Sequence, residues 1–140
     1  AARARQLGAD ETIDHYAADV PAEVRRLTGK KGVDVVIEHV GKATWERSIQ
    51  SLAHRGRLVT CGATTGDQPG ADLRRLFIRQ LKVFGSTLGT FAEFRDLLAL
   101  CERSPMRPVI DSRHALDAVP QALIRLESGQ QFGKVAITIE

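Results

Sequence analysis

Residues 33–66 read VDVVIEHVGKATWERSIQSLAHRGRLVTCGATTG, and this stretch decides the fold. It holds two short β-branched apolar runs, 33–37 and 58–61, each leading to a glycine. Between them Trp45, Ile49 and Leu52 recur at i, i+4 and i+7, which predicts a helix over 44–53 with one apolar face. Strand, amphipathic helix and strand at this spacing make a βαβ unit of a parallel sheet, whose strands are covered on both faces and read as continuous apolar runs. Ligands of open α/β sheets bind in the crevice beyond the carboxyl ends of the strands. A glycine there lets the backbone come close to a ligand, because no Cβ intervenes. The stretch reads as part of a nucleotide-binding sheet.

The same grammar extends in both directions. On the N-terminal side, 1–7 followed by Gly8 predicts the last turns of a helix, 11–14 a short strand, and 20–27 a helix capped by Asp19 and ended by Thr28 and Gly29. On the C-terminal side, 72–80 predicts a helix with Leu73, Leu76, Phe77 and Leu81 facing inward, and 81–84 a strand ending at Gly85, Ser86 and Thr87. From about residue 90 the pattern changes. A strongly apolar helix over 91–103, stopped by Ser104 and Pro105, is followed by a strand at 108–113, a helix at 117–126 and a strand at 134–139. The expected division is 1–90 and 91–140, with no internal repeat.

Composition narrows the function classes. A chain of 140 residues has room for one real core but is small for an enzyme that also carries a substrate domain. Apolar content of 43% and charged content of 26% are those of an ordinary globular protein. No apolar run approaches the roughly 20 residues that span a bilayer, and the first ten residues lack a signal-peptide core, so no membrane partner and a cytoplasmic location are expected. The net charge of +3 comes from arginines scattered over predicted helix faces, and aromatics are only 5%, which argues against a nucleic-acid interface. Cys61 and Cys101 have neither disulfide-framework nor zinc-site spacing and read as packed thiols.

The ordered set LGADETID, GVDVVIEHVG, GRLVTCGATTG, LKVFGST, RPVID and LESGQQFGKVAI resembles the medium-chain dehydrogenase/reductase superfamily, which includes zinc alcohol dehydrogenases and zinc-free quinone oxidoreductases. The resemblance covers essentially the whole chain. It implies an α/β fold: a partial doubly wound, Rossmann-type parallel sheet with helices on both faces, plus a C-terminal segment that returns toward a catalytic domain. The family's Gly-rich phosphate fingerprint, its second strand and its catalytic domain have no counterpart in these residues. The chain is therefore expected to be the cofactor-side part of a longer NAD(P)-dependent oxidoreductase, inactive alone, with any zinc held outside these residues. The expected reaction is hydride transfer between nicotinamide and an alcohol, aldehyde, quinone or enone. A stand-alone, non-catalytic binding or dimerisation module is the alternative.

The resemblance also implies site residues. His15, or Tyr16 beside it, falls near the ribose-phosphate end of the cofactor, and His39 with Gly41 falls on the adenosine side. Cys61, Gly62, Ala63, Thr64 and Thr65 fall against the nicotinamide ribose, where small residues let a ring lie flat and hydroxyls satisfy ribose oxygens. Gly85, Ser86 and Thr87 form the turn whose backbone meets the carboxamide, and Gln131 matches a further contact. His54 is expected exposed at a helix end, and His114 without a role. Glu38 and His39, adjacent on a strand, point to opposite faces and cannot form a dyad. No nucleophile, proton relay or metal set is visible. Relatives pair a short edge strand with its twofold mate, which implies a homodimer through residues 81–86.

Overall fold

In the computed structural model, which describes residues 1–104 and 106–139, the chain forms two compact units, residues 1–88 and 89–140. The first opens with α1 (Ala2–Gln6) and α2 (Val20–Leu27). The Asp19 carboxylate accepts from the Ala22 N–H at 3.0 Å and fixes the start of α2. The βαβ unit follows as β1 (Val33–Glu38), α3 (Trp45–Ser51) and β2 (Leu52–Thr60), and then come α4 (Leu73–Ile78) and β3 (Lys82–Gly85). The three strands form one parallel sheet in the order β1-β2-β3. The fold is α/β, as the alternation of strand and helix requires.

Register sorts the side chains. Val36, Leu58 and Val83 lie in one row, Ile37, Val59 and Phe84 in the next, and successive rows face opposite ways. The first row meets the helices: Leu58, Leu52 and Ile49 are buried, with Val36, Trp45, Leu76 and Leu81 packed against them. Truncating the fully buried Leu58 to alanine would cost about 2–5 kcal/mol. In the second row Ile37 and Phe84 are exposed.

Four expectations change. Residues 11–14 form no strand, because no strand of the sheet pairs with that segment. The helix expected to 53 stops at Ser51, and β2 begins at once with Leu52, so exposed His54 lies on a strand. This junction is held from outside. Arg75 donates to the carbonyls of Gln50 (2.9 Å) and Ile49 (3.4 Å), and Arg79 donates to that of Leu52 (3.2 Å), taking acceptors a helix end would leave free. The ladder then jumps from Val33↔Leu52 to Val35↔Arg57, and residues 53–56 loop out with Arg55 at φ 62°. Finally, Leu73 and Phe77 of α4 are exposed, because a helix of six residues presents only its Leu76 side to the core.

The second unit comprises α5 (Phe91–Arg103), β4 (Ile110–Ala115), a 3-10 turn (Leu116–Ala118), α6 (Val119–Glu127) and β5 (Lys134–Thr138). Thr90 and Glu93 form a reciprocal capping box at the start of α5, and Ser104 is its C-cap; the expected stop at Pro105 lies outside the described residues. β4 and β5 pair in parallel. Arg125 of α6 binds Asp111 of β4 by two hydrogen bonds of 3.0 Å, and the Phe132 N–H adds a third at 2.9 Å. These donors, Arg125 foremost, pull the Asp111 carboxyl down to about 2.

Candidate functional site

The site lies at the carboxyl edge of the three-stranded sheet, where the turns after β1 and β2 meet. They are knitted by main chain. The Cys61 N–H donates to Glu38 O (3.0 Å), the Thr65 N–H to Val40 O (2.8 Å), and the Lys42 N–H to Gly66 O (3.0 Å). The Thr65 hydroxyl donates to Val40 O (2.7 Å) and accepts from the Ala43 N–H (3.0 Å). Gly41 sits where they cross, at φ 92°, with the carbonyl of Gly66 2.5 Å from where a Cβ would stand. A Cβ on Gly62 would stand 2.7 Å from His39 O. Both glycines thus answer first to the approach of one turn to the other.

Beneath the β1–α3 turn is Glu38, 3% exposed. Its carboxylate accepts from the N–H groups of Val40 (2.8 Å) and Gly41 (3.1 Å) and from the hydroxyls of Thr44 (2.9 Å) and Ser48. Burial pushes the carboxyl pKa up; the donors, led by Ser48, outweigh it and leave the group below its ordinary value. Thr44, at the N-cap of α3, turns its hydroxyl to Glu38 instead of capping its own helix. Sequence reasoning missed this role. The signal was a charged residue closing the apolar run VDVVIE.

An open groove runs between the ends of β2 and β3, lined by Thr60, Cys61, Gly62, Ala63, Gly85, Ser86 and Thr87. The Ser86 N–H donates to Thr60 O (2.9 Å), tying its two walls together. Cys61 is its one titratable side chain and is exposed, not packed as expected. Gly85 has no positive φ, and a Cβ there would meet nothing within 4 Å. The fold does not need a glycine at 85. Gly85 is nonetheless among the residues that line the groove.

The structure brings Cys61, Gly62, Ala63, Ser86 and Thr87 into one groove and sets Gly41, Thr64 and Thr65 in the adjoining turns. Thr64 and Thr65 point their hydroxyls at Val40 O, so they build the turn before they can serve a ligand. His39 is exposed beside Gly41, on the opposite side of the strand end from Glu38. His15 is exposed against Tyr16, ring centroids 4.0 Å apart, with its carbonyl bound by Arg47 (3.4 Å). Gln131 lies in the second unit, its Oε1 buried without a hydrogen-bond partner. His114 there binds Ser112 at 3.1 Å. Among the described residues no group of three or more His, Cys, Asp or Glu could hold a metal ion, and no helix is long and apolar enough to cross a membrane.

Comparison with known proteins places the chain in the medium-chain dehydrogenase/reductase superfamily. Within it, a model described as zinc-binding dehydrogenase matches residues 1–103, and the chain belongs to that family. A quinone oxidoreductase of Pseudomonas aeruginosa is 36% identical over 143 aligned positions, covering 96% of this chain and 44% of the relative. The solved structure of an NAD-dependent alcohol dehydrogenase superposes with a TM-score of 0.89 at 36% identity, over 99% of this chain and 40% of that one. A Pseudomonas syringae quinone oxidoreductase gives a TM-score of 0.80 at 32% identity, over 99% and 46%. The chain thus spans less than half the length of these relatives. The family's name implies zinc, but the described residues do not fit it, and no step is assigned to it here.

Proposed function

We propose that the groove after β2 and β3 receives the nicotinamide end of NAD or NADP, and that the protein is an oxidoreductase moving a hydride between this cofactor and an alcohol, aldehyde, quinone or enone. The observation that carries the reading is the groove's lining of small residues, floored by a Gly85 that packing does not require. Bound nicotinamide supplies or takes the hydride; the chain's own residues orient it. The main chain at Gly62, Ala63 and Gly85 admits a flat ring, and the Ser86 and Thr87 hydroxyls offer polar partners at its rim. His39, Gly41 and the turn around them take the adenosine side, and His15 the ribose-phosphate end. Thr64 and Thr65 hold the wall. Gln131, with its free acceptor oxygen, is a separate candidate contact.

The groove lining has no acid–base group beyond the Cys61 thiol, so its work is positioning. Free β3, exposed along its length, is the edge through which two copies pair. The test is titration of NADH and NADPH into the complete product of the gene, followed by calorimetry, with single-turnover oxidation of bound cofactor by a quinone and by an aldehyde. Saturable binding that Ser86→Trp abolishes supports the reading. Binding unaffected by that bulk refutes it.

A further inference from the structure

The turn after β1 is built as an anion site, and the anion is already in it. Two main-chain N–H groups, Val40 and Gly41, and two hydroxyls, Thr44 and Ser48, converge on one point, and Glu38 fills that point from within the chain. Thr44 is the N-cap residue of α3 and Ser48 lies within it, so the carboxylate ties the turn to the helix. A carboxylate withdrawn from water persists only where donors replace its hydration, and this one is 3% exposed with its donors supplied by the turn and by the first residues of α3. Each donor it takes is a donor the turn cannot offer a ligand. The exposed surface of the same turn carries the His39 side chain and, through Val40 O, anchors the wall of the groove.

We infer that Glu38 is a positioning residue of the dinucleotide site: as a resident anion it fixes the 39–41 turn, and through Val40 the wall of the groove that Thr65 joins to it. The inference rests on the nucleotide reading above. Glu38 does not touch ligand; it acts through the main chain of Val40 and Gly41 and the seating of His39. Its charge points away from the groove, into the donors beneath the turn.

The complete gene product is compared as wild type, Glu38→Gln and Glu38→Gly, below their unfolding temperatures. Two quantities are read: NADH and NADPH affinity by calorimetry, and ligand-free hydrogen exchange of the Val40 and Gly41 amides. Glu38→Gln keeps shape but loses the charge, and should weaken the preferred cofactor about tenfold or more while the two amides exchange faster. Glu38→Gly leaves a carboxylate-sized gap, so formate should restore both affinity and protection, and chloride at equal ionic strength neither. Should Glu38→Gly not fold, Glu38→Gln alone decides. Wild-type affinity in Glu38→Gln overturns the inference and leaves the nucleotide reading standing. So does lost affinity in Glu38→Gly that formate leaves unchanged, since this marks a structural role only. Failure of wild type to bind either cofactor overturns the nucleotide reading, and this inference with it.

Discussion

Two glycines a few ångströms from the same groove should respond in opposite directions to one added methyl group. Gly41→Ala forces a Cβ onto a residue at φ 92°, 2.5 Å from Gly66 O and 2.9 Å from Ala63 Cα. A left-handed backbone costs an L residue about 1–2 kcal/mol. Pushing back main chain on both sides of a packed turn adds about 1–3 kcal/mol. The sum, about 2–5 kcal/mol, is a large part of the stability of a small domain, and should lower the urea midpoint by about 1–3 M. Gly85→Ala meets nothing within 4 Å and needs no unusual φ, so it should be neutral or stabilise by about 0.5–1 kcal/mol. The assay is urea unfolding followed by Trp45, the chain's one tryptophan, which packs against the core of the first unit. The same samples are titrated with cofactor. Gly85→Ala should keep or raise its midpoint and lose affinity, because it adds a methyl group to a residue that lines the groove. A Gly41→Ala midpoint within about 0.3 M of wild type would refute the close approach of the two turns. A Gly85→Ala variant that binds as before would remove the reason given for that glycine.

Three further outcomes follow from the same geometry. Asp111 is held at about 2 against its usual 3.8, so its contribution to the second unit is complete above pH 3.8 and lost as pH falls toward 2; Asp111→Asn should abolish that part of the acid dependence, read by circular dichroism between pH 5 and 2. Arg75→Met should destabilise the first unit by about 1–2 kcal/mol, because it strips the Gln50 carbonyl of its 2.9 Å donor while keeping the aliphatic stem; an unchanged urea midpoint would contradict this account of the α3–β2 junction. Val83→Lys with Phe84→Lys should convert a dimer to a monomer by light scattering with the circular dichroism unchanged, and a wild type already monomeric at about 100 μM would discard pairing through β3.

What the sequence disclosed, and what it hid, follows from the range of the forces involved. Periodicity is local, so α2 and α5 fall where the apolar spacing and the caps place them, and β1 follows its β-branched run to within a residue. The end of α3 is set 25 residues away by Arg75, and no local rule could move it from 53 to 51. The strand expected at 11–14 had the right residues, but a strand exists only by pairing, and no strand of the sheet pairs with that segment. The site divides along the same line. Small residues at the carboxyl ends of apolar strands are a local signal, and they do gather into a groove. Gly41 and Thr65 carried the same signal for a second reason, the crossing of two turns, which appears only when residues 22 to 25 apart meet. Glu38 is the strongest instance. As a letter it is an acid at the end of a strand, suited to solvent. Only the four donors folded over it, the farthest ten residues on, make it the most buried charge among the described residues and the fixed point of the turn. A residue whose surroundings contradict its solubility is where a chain spends stability on geometry, and that contradiction, more than any motif, marks the turn after β1 as the part of the site built to hold one shape.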